Sequence, residues 1–493
     1  MSEKSIVIIG AGIAGLSAGC YGRLEGYETT ILEQDARPGG LATCWTRGEY
    51  TINGGLAFIL GTAPGTGFHK IWRDLGVVPG LRVADCDHLM IVEGEGGREF
   101  RFHANIDKLH AHLLELAPED RKAIDGFIGA ARVFLRYQLP VDKAPELLTL
   151  VDKIRLLGTS FPLLRMIGTW KNVTIGEFSR KLKNPFLREV FYEFKALFSE
   201  DLPMAAVCLF AAIAYGRAAG YPQGGAIALA KAVERRYLEL GGEVRYRTRA
   251  SRVLVENGRA VGVRLADGSE VRADFVISAA DGRTTLFELL EGRFIDRRTR
   301  KIYGNFPVGP SPVMVALGVA REFPEVPHSA LGLLFRLREP VSLAGSRVGW
   351  LRPMIYNYDP TLAPAGKTLV RVVVPSDYDF WSGLSAERYE EEKDRTVDLV
   401  IKLLEQRFPG IGASVEMRNV ATPLTFERYT GNFRGSAIGW DLTPRTFMAR
   451  IPKRLPGLRN FVMAGQWVEG GGGIPFVALS GRNAVQIIRR LDR

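Results

Sequence analysis

The sequence has few cysteines and histidines for its length. Its 493 residues include four cysteines and six histidines. No two cysteines form a C-x-x-C pair, so the pattern indicates neither a zinc ribbon nor a dithiol redox centre and favours reduced, structural thiols. The nearest histidines, His110 and His112, lie two positions apart on a predicted helix, where their side chains point in different directions. We therefore expect no metal site.

Long apolar runs are also missing. No window reaches the roughly 18 consecutive apolar residues that a membrane-spanning helix needs, and the best one, Met204 to Tyr215, is too short. The first predicted strand begins at Ile6, which leaves no room for a secretory leader. We therefore expect a cytoplasmic protein that can attach peripherally to the inner face of the cell membrane.

The net charge of +11 comes without a nucleic-acid motif. The basic residues are spread along the chain rather than run together, so nucleic acid is not an expected partner. An anionic membrane surface remains open as a partner. Internal repeats and a second dinucleotide motif are also missing, which indicates one nucleotide cofactor per chain.

The chain opens with a pattern typical of dinucleotide binding. Ile6 to Ile9 is an apolar run that predicts a buried parallel strand. The G-x-G-x-x-G spacing follows directly, at Gly10, Gly12 and Gly15. These glycines make a tight turn, let the backbone approach a pyrophosphate and let the helix lie against the sheet. A second predicted strand, Glu28 to Leu32, ends at Glu33, where a carboxylate can bind both hydroxyls of an adenosine ribose.

Two later stretches continue the same nucleotide fold. The first predicts a helix from Ala226 to Leu240, then strands joined by Asn-Gly and Asp-Gly turns, then a strand from Phe275 to Ser278. The second, near the end of the chain, predicts a strand, a glycine-rich loop and a final helix. Between these stretches lie an amphipathic helical segment, residues 105–217, and a segment of mixed strands and helices, residues 291–454.

Several motifs along the chain carry a resemblance to a known family. They are "EQDARPGG", "YPQGG", "GRAVGVRLADG", "LAPAGKTLVRVVVP", "TPLTFERYTGNFRGSAIGW" and "AGQWVEGGGGIPFVALSG". With the opening fingerprint, they resemble the FAD-dependent amine-oxidase-like superfamily, in its phytoene desaturase, carotenoid isomerase and retinol saturase branch. The resemblance implies an α/β protein. Its discontinuous Rossmann-type FAD-binding domain would comprise residues 1–90, 218–290 and 455–493, and an inserted mixed α+β substrate domain would comprise residues 91–217 and 291–454.

The resemblance also implies which residues hold FAD. Glu33 matches the ribose-binding acid, Val253 the residue whose backbone meets the adenine, and Gly465 a residue of the segment where the last helix begins under the isoalloxazine. A helix N-terminus aimed at the flavin would stabilise the charge of the reduced ring. The cofactor-binding residues so predicted are Gly10, Gly12, Ile13, Ala14, Gly15, Glu33, Gln34, Gly39, Gly40, Leu41, Val253, Gly465, Gly473, Ile474 and Pro475.

Two positions depart from the family pattern near the expected flavin. Asn53 stands where many relatives carry an acidic residue, and Glu469 stands where several carry a histidine. A carboxyl group at position 469 would be partly desolvated, and a raised pKa would let it exchange protons with substrate near neutral pH. We therefore take Glu469 as the candidate catalytic acid or base. The alternative is that Glu469 only orders its loop.

The resemblance implies an oxidoreductase that acts on carbon–carbon bonds of a long apolar polyene or isoprenoid lipid, in the manner of a desaturase or saturase. Three alternatives stay open: a redox-neutral polyene cis-trans isomerase, an amine oxidase with non-covalent FAD, and a non-enzymatic FAD and lipid carrier. No cysteine follows Cys208, so a C-terminal cysteinyl–flavin link is excluded. The stretch Leu147 to Trp170 is either a membrane-facing channel mouth or an ordinary core-facing helix pair.

Overall fold

The computed structural model describes residues 4–55, 58–137, 141–197, 199–215, 219–329, 331–469 and 473–493. The strands in these ranges are β1 Ser5–Ile9, β2 Glu28–Leu32, β3 Cys44–Arg47, β4 Tyr50–Asn53, β5 Ile59–Leu60, β6 Val83–Asp85, β7 His88–Glu93, β8 Glu99–His103, β9 Ala219–Pro222, β10 Glu243–Arg245, β11 Ala250–Glu256, β12 Arg259–Leu265, β13 Glu270–Arg272, β14 Phe275–Ser278, β15 Val313–Val319, β16 Leu333–Leu343, β17 Ser346–Leu351, β18 Pro353–Ile355, β19 Thr368–Val374, β20 Val415–Ala421 and β21 Phe461–Met463.

The α-helices in the same ranges are α1 Ile13–Leu24, α2 Gly67–Asp74, α3 Ile106–Leu116, α4 Arg121–Arg136, α5 Leu150–Thr159, α6 Phe161–Trp170, α7 Ile175–Lys181, α8 Pro185–Glu193, α9 Met204–Ala214, α10 Gly225–Glu239, α11 Arg297–Asn305, α12 Tyr378–Ser382, α13 Ala386–Leu404, α14 Pro423–Thr430 and α15 Ile474–Leu491.

A parallel sheet of order β10-β2-β1-β14-β21 forms the nucleotide-binding part of the protein. In its centre Ile6 lies between Thr29 of β2 and Phe275 of β14. β21 pairs with β14 on the other side, so strands from the two ends of the chain share one sheet. The predicted strands over Ile6–Ile9, Glu28–Leu32 and Phe275–Ser278 are confirmed. In a parallel sheet the carboxyl ends of all strands meet at one edge, where ligands bind.

Helix α1 packs against this sheet on one side and against α15 on the other. A methyl group added at Gly15 would lie 1.9 Å from the backbone oxygen of Gly10, and one added at Gly481 would lie 2.2 Å from the backbone oxygen of Ala14. Both distances are far below a van der Waals contact, so only glycine permits these approaches. Ser17 strengthens the same interface because its hydroxyl donates to the backbone oxygen of Ala478 at 2.7 Å.

Beside the parallel sheet, the three strands β11, β12 and β13 form an antiparallel meander. The turn between β11 and β12 contains Asn257 and Gly258, both with positive φ, as the Asn-Gly pattern predicts. The predicted helix from Ala226 to Leu240 is observed one residue earlier at each end, as α10.

The inserted segments build two four-stranded sheets and a helical layer. The sheets have the orders β18-β19-β15-β20 and β17-β16-β7-β8. Helices α3 to α9 occupy residues 106–214, which confirms the helical prediction for that segment. The domain boundaries stay a prediction, and the one placed at residue 90 falls inside β7, which pairs with β16.

The described residues contain no helix long and apolar enough to cross a membrane. They also contain no group of three or more histidine, cysteine or carboxylate side chains arranged to hold a metal ion. The four cysteines are buried thiols. Burial raises the pKa of Cys20 to about 12, so this thiol stays protonated at neutral pH.

Candidate functional site

One large cavity lies at the carboxyl edge of the parallel sheet. It encloses about 1440 Å³, and its lining includes Gly10 after β1, Glu33 after β2, Ala279 after β14 and Gly465 after β21. Pockets for a single small molecule measure about 300–1,000 Å³. The cavity is therefore large enough for a dinucleotide and for part of a second molecule.

The glycine turn forms a cradle for a diphosphate at one side of this cavity. Gly10 has φ of 98° and Gly39 has φ of 117°, and Gly12 pairs with Gly39 in an isolated bridge. A methyl group at Gly39 would lie 2.3 Å from the backbone oxygen of Ala42, so the loop closes only with glycine there. Helix α1 begins at Ile13, and the free amides of its first turn favour an anion.

Glu33 is held in position by two backbone amides. Oε2 accepts from the amide of Ala11 at 2.6 Å, and Oε1 accepts from the amide of Asp35 at 2.8 Å. Burial raises the pKa of Glu33, and these amide hydrogen bonds oppose the rise. Each carboxylate oxygen keeps a lone pair directed elsewhere, so the pair can accept the two hydroxyls of a ribose.

Most of the predicted cofactor-binding residues come together in this cavity. Those that line it are Gly10, Gly12, Ile13, Ala14, Glu33, Gln34, Gly39, Gly40, Leu41, Gly465, Gly473, Ile474 and Pro475. Gly15 lies one turn into α1 and permits the close approach of helix and strand instead. These positions fit a dinucleotide that runs from Glu33 past the α1 N-terminus to the start of α15.

Val253, whose backbone is predicted to meet the adenine, is not among the residues that line the cavity. Its side chain is buried in the core between β11, the parallel sheet and the C-terminal segment. Residues 248–251 line the cavity at this wall instead. The register of β11 shifts against β12 between Ala250 and Arg252, so the backbone nearest the cavity lies at the beginning of the strand.

The C-terminal loop approaches the cavity from the end of β21. Gly465 has φ of 103°, and its amide donates to Oγ of Ser480 at 2.8 Å. Gly473 has φ of 85° and precedes α15, whose first turn contains Pro475. The glycines at 470–472 lie outside the described residues. The start of α15 thus borders the cavity, and its position under a flavin ring stays a prediction.

Glu469 does not line the cavity. Its carboxylate is 2.9 Å from Nζ of Lys453, which is 3% exposed and also lies 2.8 Å from Oε1 of Glu146. Burial raises the pKa of Glu469, and Lys453 opposes the rise. Burial lowers the pKa of Lys453, but the two carboxylates outweigh it. This geometry favours the alternative role, in which Glu469 ties its loop to the inserted region.

Asn53 is fully buried next to the cavity. Its Oδ1 accepts from the amide of Ala226 at 3.2 Å, so the side chain binds the first turn of α10. Its backbone oxygen accepts from Nη1 of Arg371 at 2.8 Å. The next residue, Gly54, lines the cavity. An amide at position 53 can bind a backbone amide without placing a buried negative charge beside the expected flavin.

A large part of the remaining cavity lining is apolar, and we call this part the apolar wall. Its members come from residues 58–89 and from both inserted segments, and the main ones are Phe58, Leu60, Leu89, Phe102, Phe194, Leu202, Val207, Met314, Leu331, Met354, Ile438 and Leu442. The sequence did not reveal them, because an apolar residue that faces a cavity has the same pattern as one that faces the core.

The fold and this cavity define a flavoprotein oxidoreductase. The chain belongs to the family of flavin containing amine oxidoreductases, whose model matches residues 13–489. Its cofactor is FAD, as predicted. When bound, FAD supplies hydride and electron transfer. In this chain Glu33 would hold the ribose, the amides at the start of α1 the diphosphate, and the loops at Gly40 and Gly465 the flavin.

Individual relatives support the predicted branch. The chain is 25% identical over 492 residues to the chloroplastic prolycopene isomerase of Daucus carota, with 97% of this chain and 79% of the relative covered. It is 25% identical over 504 residues to the lycopene-forming phytoene desaturase of Pseudescherichia vulneris, with 98% and 99% covered. An oxidoreductase from Methanosarcina mazei shares the fold, with a TM-score of 0.62 at 17% identity and 98% and 100% coverage.

We predict that Glu33→Ala weakens FAD binding by about 2 kcal/mol, or about thirtyfold in Kd, through loss of two charge-assisted hydrogen bonds. Titration of the apoprotein with FAD, followed by flavin fluorescence, measures this change. Glu28→Ala is the matched control, since Glu28 is exposed at the beginning of β2, the strand that Glu33 follows. Equal FAD affinity in the two variants would contradict the assignment of Glu33.

We predict that Lys453→Met destabilises the protein by about 3–5 kcal/mol, because it leaves two carboxylates without their buried partner. Glu469→Gln lowers the free energy of unfolding by less and leaves the pH profile of turnover unchanged, since Glu469 does not line the cavity. Chemical unfolding and pH–rate profiles measure the two effects, with Lys301→Met as an exposed control. A shifted pH profile in Glu469→Gln with FAD still bound would restore Glu469 as the acid or base.

Proposed function

We propose that the protein uses FAD to change the oxidation state of carbon–carbon bonds in a long apolar polyene or isoprenoid lipid. The observation that carries the proposal is the apolar wall, which extends the FAD-binding cavity into the inserted region. Phe102, Leu202 and Val207 of that wall lie between the helical layer and the cavity. The printed names of the relatives from Daucus carota and Pseudescherichia vulneris, an isomerase and a desaturase, agree with such a substrate.

The charges of the cavity disfavour a protonated amine as substrate. The acidic lining residues of the nucleotide side, such as Glu33 and Asp281, are engaged by backbone amides. Glu427 accepts from the hydroxyl of Tyr378 and from the amide of Arg434. Lys195, Arg352 and Arg371 also line the cavity, and like charges repel an ammonium group. An amine oxidase is therefore the weaker alternative.

The residues of the site bind and orient the substrate rather than exchange protons with it. Side chains such as Phe194, Met314 and Leu442 exclude water from the bond that reacts and bury the apolar chain. When the walls hold a long substrate on both sides of the reacting bond, that one bond lies against the flavin. The binding energy of the remote parts of the substrate then serves to position the reacting bond. A redox-neutral isomerase would use the same walls, so isomerisation is the second candidate.

We predict that an anaerobic flavin spectrum changes on addition of a polyene and not on addition of a primary amine. The oxidised flavin bleaches with a reduced polyene, or the dithionite-reduced flavin reoxidises with an unsaturated one. Leu331→Trp narrows the cavity and slows this reaction at least tenfold, whereas Leu164→Trp on the exposed face of α6 does not. Bleaching by amines alone would contradict the proposal. Product isomers without any spectral change would favour the isomerase.

We also propose that helices α5 and α6 dock on an anionic membrane surface. Most of the exposed large apolar side chains in the described part of the protein lie on this pair: Leu150, Val151, Ile154, Leu157, Phe161 and Leu164. α5 has no buried residue, which argues against an ordinary core helix. Lys153, Arg155 and Arg165 are exposed among these apolar side chains. α6 packs against α9, whose Val207 lines the cavity.

We predict that the protein floats with anionic liposomes and that its recovery falls as salt rises. Basic side chains near such a surface contribute about 1 kcal/mol each, and salt screens this attraction. The double change Val151→Ser and Ile154→Ser abolishes flotation, whereas Leu238→Ser, at an exposed leucine of α10, leaves it intact. Equal recovery with neutral and anionic vesicles at low salt would contradict an electrostatic contribution to membrane binding.

A further inference from the structure

One face of the sheet β18-β19-β15-β20 forms part of the cavity wall. Side chains alternate across a strand, so residues two apart share a face. On β19, Val370, Val372 and Val374 point into the core of the inserted region. Arg371 and Val373 point the other way and line the cavity, together with Met354 of β18 and Met314 of β15, their register partners.

Arg371 places a buried positive charge on this cavity face. The residue is 3% exposed. Nη1 donates to the backbone oxygen of Asn53 at 2.8 Å, and Nη2 contacts Sδ of Met354, a weak acceptor, at 2.7 Å. Nε has no partner. A guanidinium carries five N–H groups, so most of the donors of Arg371 lack an oxygen acceptor.

Arg352 adds a second guanidinium beside the first. It precedes β18 by one residue and lines the cavity on the same face as Met354. Within the described chain, Arg352 makes no hydrogen bond and no ion pair. Burial, and after it the positive charge of the nearby Arg371, lower the pKa of Arg352 to about 9.

No carboxylate of the described residues pairs with either arginine. Asp359, which is 1% exposed, is a carboxylate in this region, since both Asp359 and Arg371 act electrostatically on Tyr356. Its Oδ2 accepts from the amide of Gly224, and its Oδ1 accepts from the amide and hydroxyl of Thr361. Two neighbouring positive charges without a counter-ion, one buried and one partly buried, destabilise a protein, so their presence on a cavity wall points to an anion bound there.

We infer that Arg352 and Arg371 bind an anionic end group, a carboxylate or a phosphate, of the apolar substrate. This inference rests on the proposed function, since it assigns the charged end of the same molecule whose apolar part the wall of the cavity holds. Guanidinium groups match both oxyanions through paired N–H donors. Arg371 binds the residue before Gly54, so the end group lies beside the segment that faces the flavin.

The arginine pair is distinct from the residues that fit FAD. The diphosphate has the amides at the start of α1, and the ribose has Glu33, all on elements of the parallel sheet. Arg352 and Arg371 belong to a sheet of the inserted region. The substrate class that follows is a polyene or isoprenoid acid, or its phosphate ester, rather than a pure hydrocarbon.

The FAD-loaded protein can be tested with parinaric acid, a fluorescent conjugated tetraene with a carboxylate, and with its neutral methyl ester. We expect the wild type to bind the acid about tenfold more tightly than the ester, the size of one charge-assisted hydrogen-bond pair. Arg352→Met abolishes the preference and keeps the affinity for the ester, and Arg352→Lys keeps part of the preference. Arg347→Met, an exposed arginine of β17, is the control that changes charge outside the cavity.

Displacement of bound parinarate by dodecanoate and by dodecyl phosphate distinguishes the two oxyanions, and the better competitor identifies the end group. Equal affinity for acid and ester in the wild type, or a preference that survives Arg352→Met, would overturn the inference while the proposed function stands. A loss of FAD from Arg352→Met would assign the arginine to the cofactor and also overturn it. Failure of both probes to bind would count against the apolar substrate itself.

Discussion

The structure depends on the close packing of α1 between the parallel sheet and α15. Gly15 lets α1 touch the turn after β1, and Gly481 lets α15 touch the backbone of α1. These contacts hold the beginning and the end of the chain together, so the N-termini of both helices face one cavity. A methyl group at either glycine would separate the cradle for the diphosphate from the loop at Gly465, and the site would lose its geometry.

The nucleotide half of the site could be predicted from sequence because its signals are local. The turn at Gly10, the helix that follows and the acid at Glu33 lie within one short segment, and each has a physical requirement for its residue type. The surroundings of Glu469 and Val253 depend instead on long-range packing. The partner of Glu469 is Lys453, which also binds Glu146, a residue 307 positions away from Lys453. The position of Val253 depends on a register shift at the start of β11, which no residue pattern shows.

The substrate half could not be predicted in the same way, because its wall is assembled from segments far apart in sequence. Phe102, Met314 and Leu442 look like core residues individually, and only their common cavity separates them from the core. Arg371 was visible as a basic residue inside the apolar strand "TLVRVVVP". Its position facing the cavity became clear only from the neighbouring strand, since its register partner Met354 and Arg352, two residues before Met354, both line the cavity.

The central claim is that one cavity holds FAD along the parallel sheet and an apolar chain along the inserted region. A crystal structure of the FAD-loaded protein with a bound polyene carboxylate tests this claim most directly. The account predicts the ribose at Glu33, the flavin between Gly40 and Gly465, the apolar chain against Phe102 and Val207, and the carboxylate at Arg352. A ligand chain that lies outside this cavity, or a flavin bound away from Gly465, would contradict the account.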